Sequence, residues 1–302
     1  MSDVKSDMDM EIKPYGDGEG KRAQVERMFD GIARSYDLLN HVLSFGVDKG
    51  WRRRAIGLLG DLRQDKEKID LEKGQNKQGE IDLEKGQGEG EKIAGENGDV
   101  KDVEGGNGGE ELGKKMEGEV LDVATGTGDM AIALHRRLGV KVVGCDISPK
   151  MVEVGREKVE RLGLGGWIRL EVGDSESLPF ESGSFGAVTV AFGVRNFADL
   201  DKGLREMGRV LRSGGRLVVL EFSTPRNAVF RGLYNFYFRN ILPLVGGAVS
   251  HDREAYRYLC RSAMAFPSGE EFEKHLRAAG LRPVSSTLLT CGIATAYLAE
   301  KD

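Results

Sequence analysis

Apolar side chains recur along this chain at two different periods, and the switch between them divides it. Val25, Met28, Phe29, Ile32, Ala33 and Tyr36 fall at i, i+3, i+4, i+7, i+8 and i+11, the stripe of an amphipathic helix packed on something larger. Asp37 follows that stripe, and residues 38–44 predict a separate short helix ended near Gly46. A further helix starts near Val47 with Trp51, Ala55, Leu58 and Leu59 on its buried face. From residue 119 onward, short apolar runs alternate with helical periods. Strands are predicted over 119–123, 140–145, 167–172, 185–192 and 216–222. Between them lie a helix over 129–138 and one capped by Ser148 with Pro149 at its first position. The latter has Met151, Gly155, Val159 and Leu162 inward, and a third helix carries Leu200, Leu204, Met207 and Leu211. Strands alternating with helices of this length imply parallel pairing through right-handed crossovers, hence a doubly wound α/β sheet.

The C-terminal part follows another pattern. Residues 229–245 are rich in aromatics (Phe230, Tyr234, Phe236, Tyr237, Phe238), and a helix over 253–265 follows. Ser268 with Glu271 predicts a capping box for a helix whose inner face is Phe272, Leu276 and Ala279 and whose C′ residue is Gly280. Residues 281–289 and 292–299 read as two strands joined by a tight turn. With no helix between them they should be antiparallel. A mostly parallel sheet ending in such a hairpin, with helices N-terminal to it, is similar to the Rossmann-like sheet of class I methyltransferases.

Composition interrupts this picture once. Residues 62–118 contain 13 glycines, 16 Asp or Glu, 10 Lys or Arg and no aromatic side chain, and the heptapeptide starting at Ile69 recurs at Ile81. Such a segment buries too little apolar surface to offset its ordering entropy, so a disordered acidic insert is expected, with a regulatory or partner-binding arm as the alternative. The expected organisation is a flexible N-terminus over 1–20, helices over 21–61, the insert over 62–118, and a core over 119–302 with an aromatic lid over 229–265. The formal net charge of −5 belongs to the insert. The remainder is nearly neutral, and no nucleic-acid partner is expected. No apolar run reaches the roughly 18 residues of a membrane span, and residues 1–20 resemble neither a secretory signal nor a transit peptide. A cytoplasmic protein is expected. Cys145, Cys260 and Cys291 form no CxxC pair, and the four histidines have no metal-ligand spacing, so neither a disulfide framework nor a metal is expected.

The chemistry concentrates after the first predicted strand. Residues 120–129 read Val-Leu-Asp-Val-Ala-Thr-Gly-Thr-Gly-Asp, a Gly-rich turn opening a helix, where backbone approaches a ligand and free N–H groups face it. Gly126-x-Gly128-x-x-Ala131 also fits a dinucleotide fingerprint. Asp146, ending the second strand, is placed to accept hydrogen bonds from a ribose diol, which NAD and S-adenosylmethionine both carry. Asp174 and Ser175, after the third strand, would reach an adenine edge. Asp122 either orients the Gly-rich loop or is a plain strand-end acid.

Longer motifs discriminate. Tyr36-Asp37-x-x-Asn40-x-x-Leu43-Ser44, followed by Trp51, and the run 209–223 from Arg209 to Ser223 through Gly214-Gly215 and Glu221 resemble the two signatures of the ubiquinone/menaquinone biosynthesis C-methyltransferase family. Between them lie Asp174-Ser175, Leu178-Pro179-Phe180 and Phe192-Gly193-Val194-Arg195-Asn196-Phe197, and later 233–238 and 292–295, in the family's order. The resemblance departs at Leu39, Asp48, Arg212-Ser213 and Cys260-Arg261, where the family commonly has Met, His, Lys-Pro and Pro-Glu.

The resemblance implies methylation of a ring carbon of a polyprenyl quinol by S-adenosylmethionine, without a metal. Demethylmenaquinol is the acceptor favoured; a methoxy-polyprenyl-benzoquinol of ubiquinone synthesis is the alternative. A nicotinamide-dependent oxidoreductase and a scaffolding pseudo-enzyme are the competing classes. Thr127, Asp146, Asp174 and Ser175 match the family's cofactor positions, with Gly126 and Gly128 shaping the loop. A phenolate developing on the acceptor needs a stabilising group, and Arg195 and Asn196 are the candidates. Tyr36, with Asp37, would close over the site. The aromatic segment, with Arg231 and Arg239, would lid the pocket and touch the inner face of a membrane. Homodimerisation is left open.

Overall fold

The computed structural model describes residues 12–44, 46–60, 119–225, 227–236 and 253–302. The expected acidic insert, most of the expected N-terminal tail and residues 237–252 of the expected lid lie outside the described residues. Contacts divide the chain into a unit of residues 1–59 and 118–302 and a second of 60–117. All the named elements belong to the first.

Seven strands form one sheet: β1 (Val120–Val123), β2 (Val142–Asp146), β3 (Ile168–Val172), β4 (Phe185–Ala191), β5 (Leu211–Phe222), β6 (Leu281–Leu289) and β7 (Ala294–Lys301). Their spatial order is β3-β2-β1-β4-β5-β7-β6. The first five are parallel, and β7 runs antiparallel between β5 and β6. Every residue of β1 and β2 is buried, as expected of central parallel strands covered on both faces. The crossovers are α3 (Asp129–Leu138), α4 (Pro149–Arg161) and α5 (Leu200–Val210), while α6 (Ala228–Phe236), α7 (Arg253–Ala265) and α8 (Glu270–Ala278) follow β5. This is the doubly wound sheet with a terminal antiparallel pair, reversing direction between β1 and β4. That switch point is where such sheets bind ligands.

Local chemistry explains most boundaries. Ser148 Oγ accepts from Met151 N at 3.2 Å and caps α4, with Pro149 in its first turn. Asp199 caps α5 through Lys202 N. Several expectations are corrected. The N-terminal stripe and the segment after Asp37 form one helix, α1 (Lys21–Leu43); the polar Asp37 points its carboxylate at Thr127 and Lys158 instead of capping a new helix. The expected Ser268–Glu271 box does not form. Gly269, at φ 68°, is the N-cap of α8 without a side-chain cap, and its N–H goes to Tyr297 Oη at 2.8 Å. Leu162 is 41% exposed because α4 has ended at Arg161. The strand expected over 216–222 begins earlier, at Leu211, whose carbonyl accepts from Lys301 Nζ at 2.7 Å.

The helix α2 (Val47–Leu58) starts after the left-handed Gly46 and buries Trp51, Ala55 and Ile56. It lies against β5, β7 and α3. Asp48, where the resemblance departs from its family, is buried, accepts from Ser44 Oγ at 2.7 Å and pairs with Arg52. Arg52 reaches on to Asp129 at 3.8 Å. The helix α1 packs on α4 and shares a buried cluster with α7, through Met28, Ile32, Met151, Ala255 and Tyr258.

Candidate functional site

Of the four non-glycine residues with left-handed backbone among the described residues, two stand at strand ends that face each other, Ala124 (φ 51°) after β1 and Phe192 (φ 58°) after β4; the other two, Thr290 and Cys291, lie in the turn between β6 and β7. Such strain gathers where function over-determines the backbone. The two loops touch closely: a Cβ on Gly193 would stand 2.5 Å from Ala124 Cβ. Both kinks turn the chain away from the sheet and open a cleft of about 670 Å³, counting space open to solvent, roofed by α1.

One half of the cleft is built around Asp146. Its Oδ2 accepts from Gly126 N at 2.8 Å and its Oδ1 from Ser148 N at 2.9 Å. The residue is 7% exposed. Burial raises the carboxyl above the ordinary Asp value, and the N–H groups of Ser148, Gly126 and Ile147 counteract this. The carboxylate thus holds both the glycine loop and the start of α4 while Asp146 lines the cleft. Asp174 accepts from Glu176 N at 2.9 Å and pairs with Arg22 of α1 at 3.0 Å. Ser175 and Glu176 line the same wall. Glu176 Oε1 accepts from Ala198 N at 2.8 Å and Asp199 N at 3.0 Å, fastening the β3 loop to the β4 loop.

Thr127, expected to meet the cofactor, is placed otherwise. It is 2% exposed, is not among the lining residues, and its hydroxyl bonds to Asp37 and accepts from Lys158 Nζ at 3.1 Å. Gly126 lines the cleft and Gly128 sits behind it as the left-handed N-cap of α3. A Cβ on Gly126, itself at φ 57°, would lie 3.7 Å from the Tyr36 ring, so Tyr36 closes over the loop. Tyr36 also meets Phe29 edge-on with centroids 5.8 Å apart.

The other half is aromatic and amide-bearing. Asn196 lines it at 8% exposure; its Nδ2 donates to Phe192 O at 3.4 Å, and its Oδ1 has no hydrogen-bond partner among the described residues. Phe192 lines the cleft and its ring packs against Phe222 with centroids 4.7 Å apart and planes tilted by 36°, and both rings meet Trp51. Arg195 corrects the expectation of a cationic group facing the acceptor. Its side chain is 5% exposed, donating from Nη1 to Glu221 Oε1 at 2.6 Å and to Phe192 O at 2.5 Å. The Arg195 side chain is absent from the cleft lining. Its guanidinium faces the Phe222 ring at 5.2 Å instead.

The sequence pattern did not single out the ties that seat α1. Lys21 Nζ donates to Phe197 O at 2.6 Å, Arg22 pairs with Asp174, and Asp30 Oδ1 accepts from Ser148 Oγ at 2.6 Å and Lys150 N at 3.2 Å. Lys158 was likewise unmarked, and Glu221 stood out only as part of the 209–223 signature, with no partner assigned. No spacing rule links residues this far apart in the chain; the polar positions on the hydrated side of the α1 stripe were the one available signal.

The donor set suits one kind of ligand. Asp146, Asp174 and Glu176 are the carboxylates of the cleft, and Arg22, the one cation lining it among the described residues, is paired with Asp174. A pyrophosphate would meet carboxylates without a compensating free cation, whereas a ribose diol and a sulfonium fit them. No group of three or more metal-ligating side chains occurs among the described residues.

Comparison with known proteins agrees with this chemistry. A demethylmenaquinone methyltransferase of Bacteroides fragilis is 38% identical over 291 residues, covering 96% of this chain and 97% of its own. The ubiquinone/menaquinone biosynthesis C-methyltransferase UbiE of Geotalea uraniireducens is 40% identical over 283 residues, 93% of this chain and 97% of its own. A demethylmenaquinone methyltransferase of Deinococcus radiodurans is 39% identical over 289 residues, 95% and 97%. Among solved structures, a SAM-dependent methyltransferase from Aquifex aeolicus has 21% identity and a TM-score of 0.45 over 61% of this chain and 82% of that one. The family model of the ubiE/COQ5 methyltransferases matches residues 18–102 and 99–301. The chain belongs to the ubiE/COQ5 methyltransferase family.

Proposed function

We propose that this chain methylates a ring carbon of a reduced polyprenyl naphthoquinone, converting demethylmenaquinol to menaquinol. The bound S-adenosylmethionine supplies an electrophilic methyl on a sulfonium. Asp146 would hold its ribose diol, with Asp174 and Ser175 at the adenine end and Gly126 letting backbone come close. The observation that carries the reading is the pairing of these acids, on one wall, with an amide-bearing aromatic wall on the other.

An aromatic carbon is a weak nucleophile until a neighbouring hydroxyl loses its proton and charge spreads into the ring. The Asn196 Oδ1, buried and without a partner among the described residues, is an acceptor suited to orient that hydroxyl. Phe192, braced by the tilted Phe222 ring and lining the cleft, would offer an aromatic surface to the quinol ring. Arg195 acts one step back: it and Asn196 both donate to the Phe192 carbonyl, which fixes the left-handed kink that presents both side chains. Positioning in this form supplies much of the rate of a direct displacement.

The prenyl tail needs an apolar path. On α6, Phe230 and Phe236 are 45% and 57% exposed, with Arg231 exposed beside Phe230. This edge would rest on a lipid surface. No helix among the described residues is long and apolar enough to cross a membrane.

The test is transfer of labelled methyl from S-adenosylmethionine to chemically reduced demethylmenaquinone and, in parallel, to a reduced methoxy-polyprenyl-benzoquinone. Label in the naphthoquinol is the expected result. Label in the benzoquinol alone would move the chain to ubiquinone synthesis, as the double name of the Geotalea relative allows; label in neither would overturn the reading.

A further inference from the structure

The first turn of α3, the second half of α1 and the last third of α4 meet at one ammonium group. Lys158 Nζ lies 2.5 Å from Asp37 Oδ2, 2.9 Å from Asp129 Oδ1 and 3.1 Å from Thr127 Oγ1. A lysine ammonium has three donors, and here each has an acceptor. The side chain is 13% exposed, so the pairs are weakly screened by solvent. Thr127 also bonds to Asp37, closing a ring of three groups to which Asp129 is joined through Lys158. Arg52 extends it to Asp48 on α2. The five charged groups are two cations and three carboxylates, so removing Lys158 takes away the cation that Asp37 and Asp129 share and leaves Asp129 with the more distant Arg52 at 3.8 Å.

The consequence reaches the cleft through neighbours. Tyr36 precedes Asp37 and covers Gly126. Gly126 in turn donates to Asp146. We propose that Lys158 is a positioning residue of the methyl-transfer site, latching the Tyr36–Asp37 turn of α1 onto the glycine loop and so setting the affinity for S-adenosylmethionine. Lys158 touches no cleft surface itself; it acts through Asp37 and Thr127. The inference rests on the methyltransferase reading, and the test separates the two.

Calorimetric binding of S-adenosylhomocysteine to the full chain is measured first on the unaltered protein. Absence of binding there would overturn the methyltransferase reading and this inference with it. Given binding, Lys158→Met and Asp37→Asn should each weaken affinity about tenfold or more, and the double variant should be little worse than either, as for residues of one network. Lys158→Arg, which keeps the charge, should retain most of the affinity. Hydrogen exchange over residues 30–37 should quicken in Lys158→Met. Affinity within about twofold of the unaltered protein in both single variants, or losses that add in the double, would overturn the coupling. So would a lowered melting temperature with affinity retained, which marks a merely structural pair. If Lys158→Met does not fold, Asp37→Asn decides, because it keeps an acceptor for Thr127 while removing the charge.

Discussion

The guanidinium of Arg195 and the carboxylate of Glu221 lie 2.6 Å apart, with side chains 5% and 0% exposed, at the C-terminal ends of neighbouring strands β4 and β5. Burial pushes the Glu221 carboxyl up, and Arg195 is the main influence holding it down. Removing one partner of such a pair strands the other charge in the core, at a cost of about 3–5 kcal/mol. Arg195→Ala should therefore lower the denaturation midpoint sharply. Replacing both by apolar residues of similar size, Arg195→Met with Glu221→Leu, should recover much of that loss. A double variant no more stable than Arg195→Ala would refute the pairing as the source of the cost.

Asp122 gives stability an unusual pH dependence. It is fully buried at the centre of β1, accepting from Thr125 Oγ1 at 2.6 Å and Thr189 Oγ1 at 2.7 Å. Burial raises its carboxyl to about 6 despite both hydroxyls. The folded state therefore binds this proton more tightly than the unfolded chain, whose carboxyl titrates near 3.8. Folding is favoured by this group at low pH, and the advantage is lost as pH rises from about 4 to about 6, a change of roughly 3 kcal/mol. Asp122→Asn has no such proton. Urea titrations should show the variant gaining on the unaltered protein by that amount between pH 4 and 7. A difference that stays flat with pH would contradict the burial argument.

The strand-helix alternation and the Gly-rich turn were legible because each is written in consecutive residues: the run 120–129 became β1, its loop and the start of α3. Ser148 and Pro149 marked a helix start for the same reason. What periodicity missed were choices decided across the fold. Asp37 reads as a break after an apolar stripe, yet its charge is met by Lys158, 121 positions away in the chain, and α1 continues. Arg195 reads as a cation at a ligand edge, yet Glu221, hidden in an apolar strand pattern, draws it inward. Ser268 has capping chemistry, but Tyr297 claims the neighbouring N–H.

Gly193 is needed for space more than for conformation. Its φ of −107° suits any residue, but a Cβ there would meet Ala124 Cβ at 2.5 Å and Val190 Cγ2 at 3.0 Å. Neither neighbour is a flexible chain end, so the backbones of the two kinked strand ends must part. Gly193→Ala should cost about 1–3 kcal/mol, the range for overpacking. Ala124 and Gly193 both line the cleft, so affinity for S-adenosylhomocysteine should fall as well. Thermal unfolding and calorimetry on the same variant check both; an unchanged melting temperature would mean that the loops yield freely.

Asp146 is the position where a one-atom change should separate folding from binding. Both carboxylate oxygens accept backbone N–H groups, from Gly126 and Ser148. An amide at this position has only one accepting oxygen, so Asp146→Asn sets an NH2 group against one of those donors. If the amide nitrogen faces Gly126, the glycine loop shifts; if it faces Ser148, the start of α4 does. Either way a buried N–H loses its acceptor, costing about 1–3 kcal/mol. The variant also loses the charge that would receive a ribose diol, and charge-assisted hydrogen bonds are roughly twice as strong as neutral ones. Binding of S-adenosylhomocysteine should therefore fall by about 100-fold, beyond what the stability loss at a shared temperature explains. Asp146→Glu keeps the charge but moves it by one methylene, and should bind better than Asn while folding less well. Asn and Glu variants that lose affinity equally would show that shape alone, and not the carboxylate, selects the ligand.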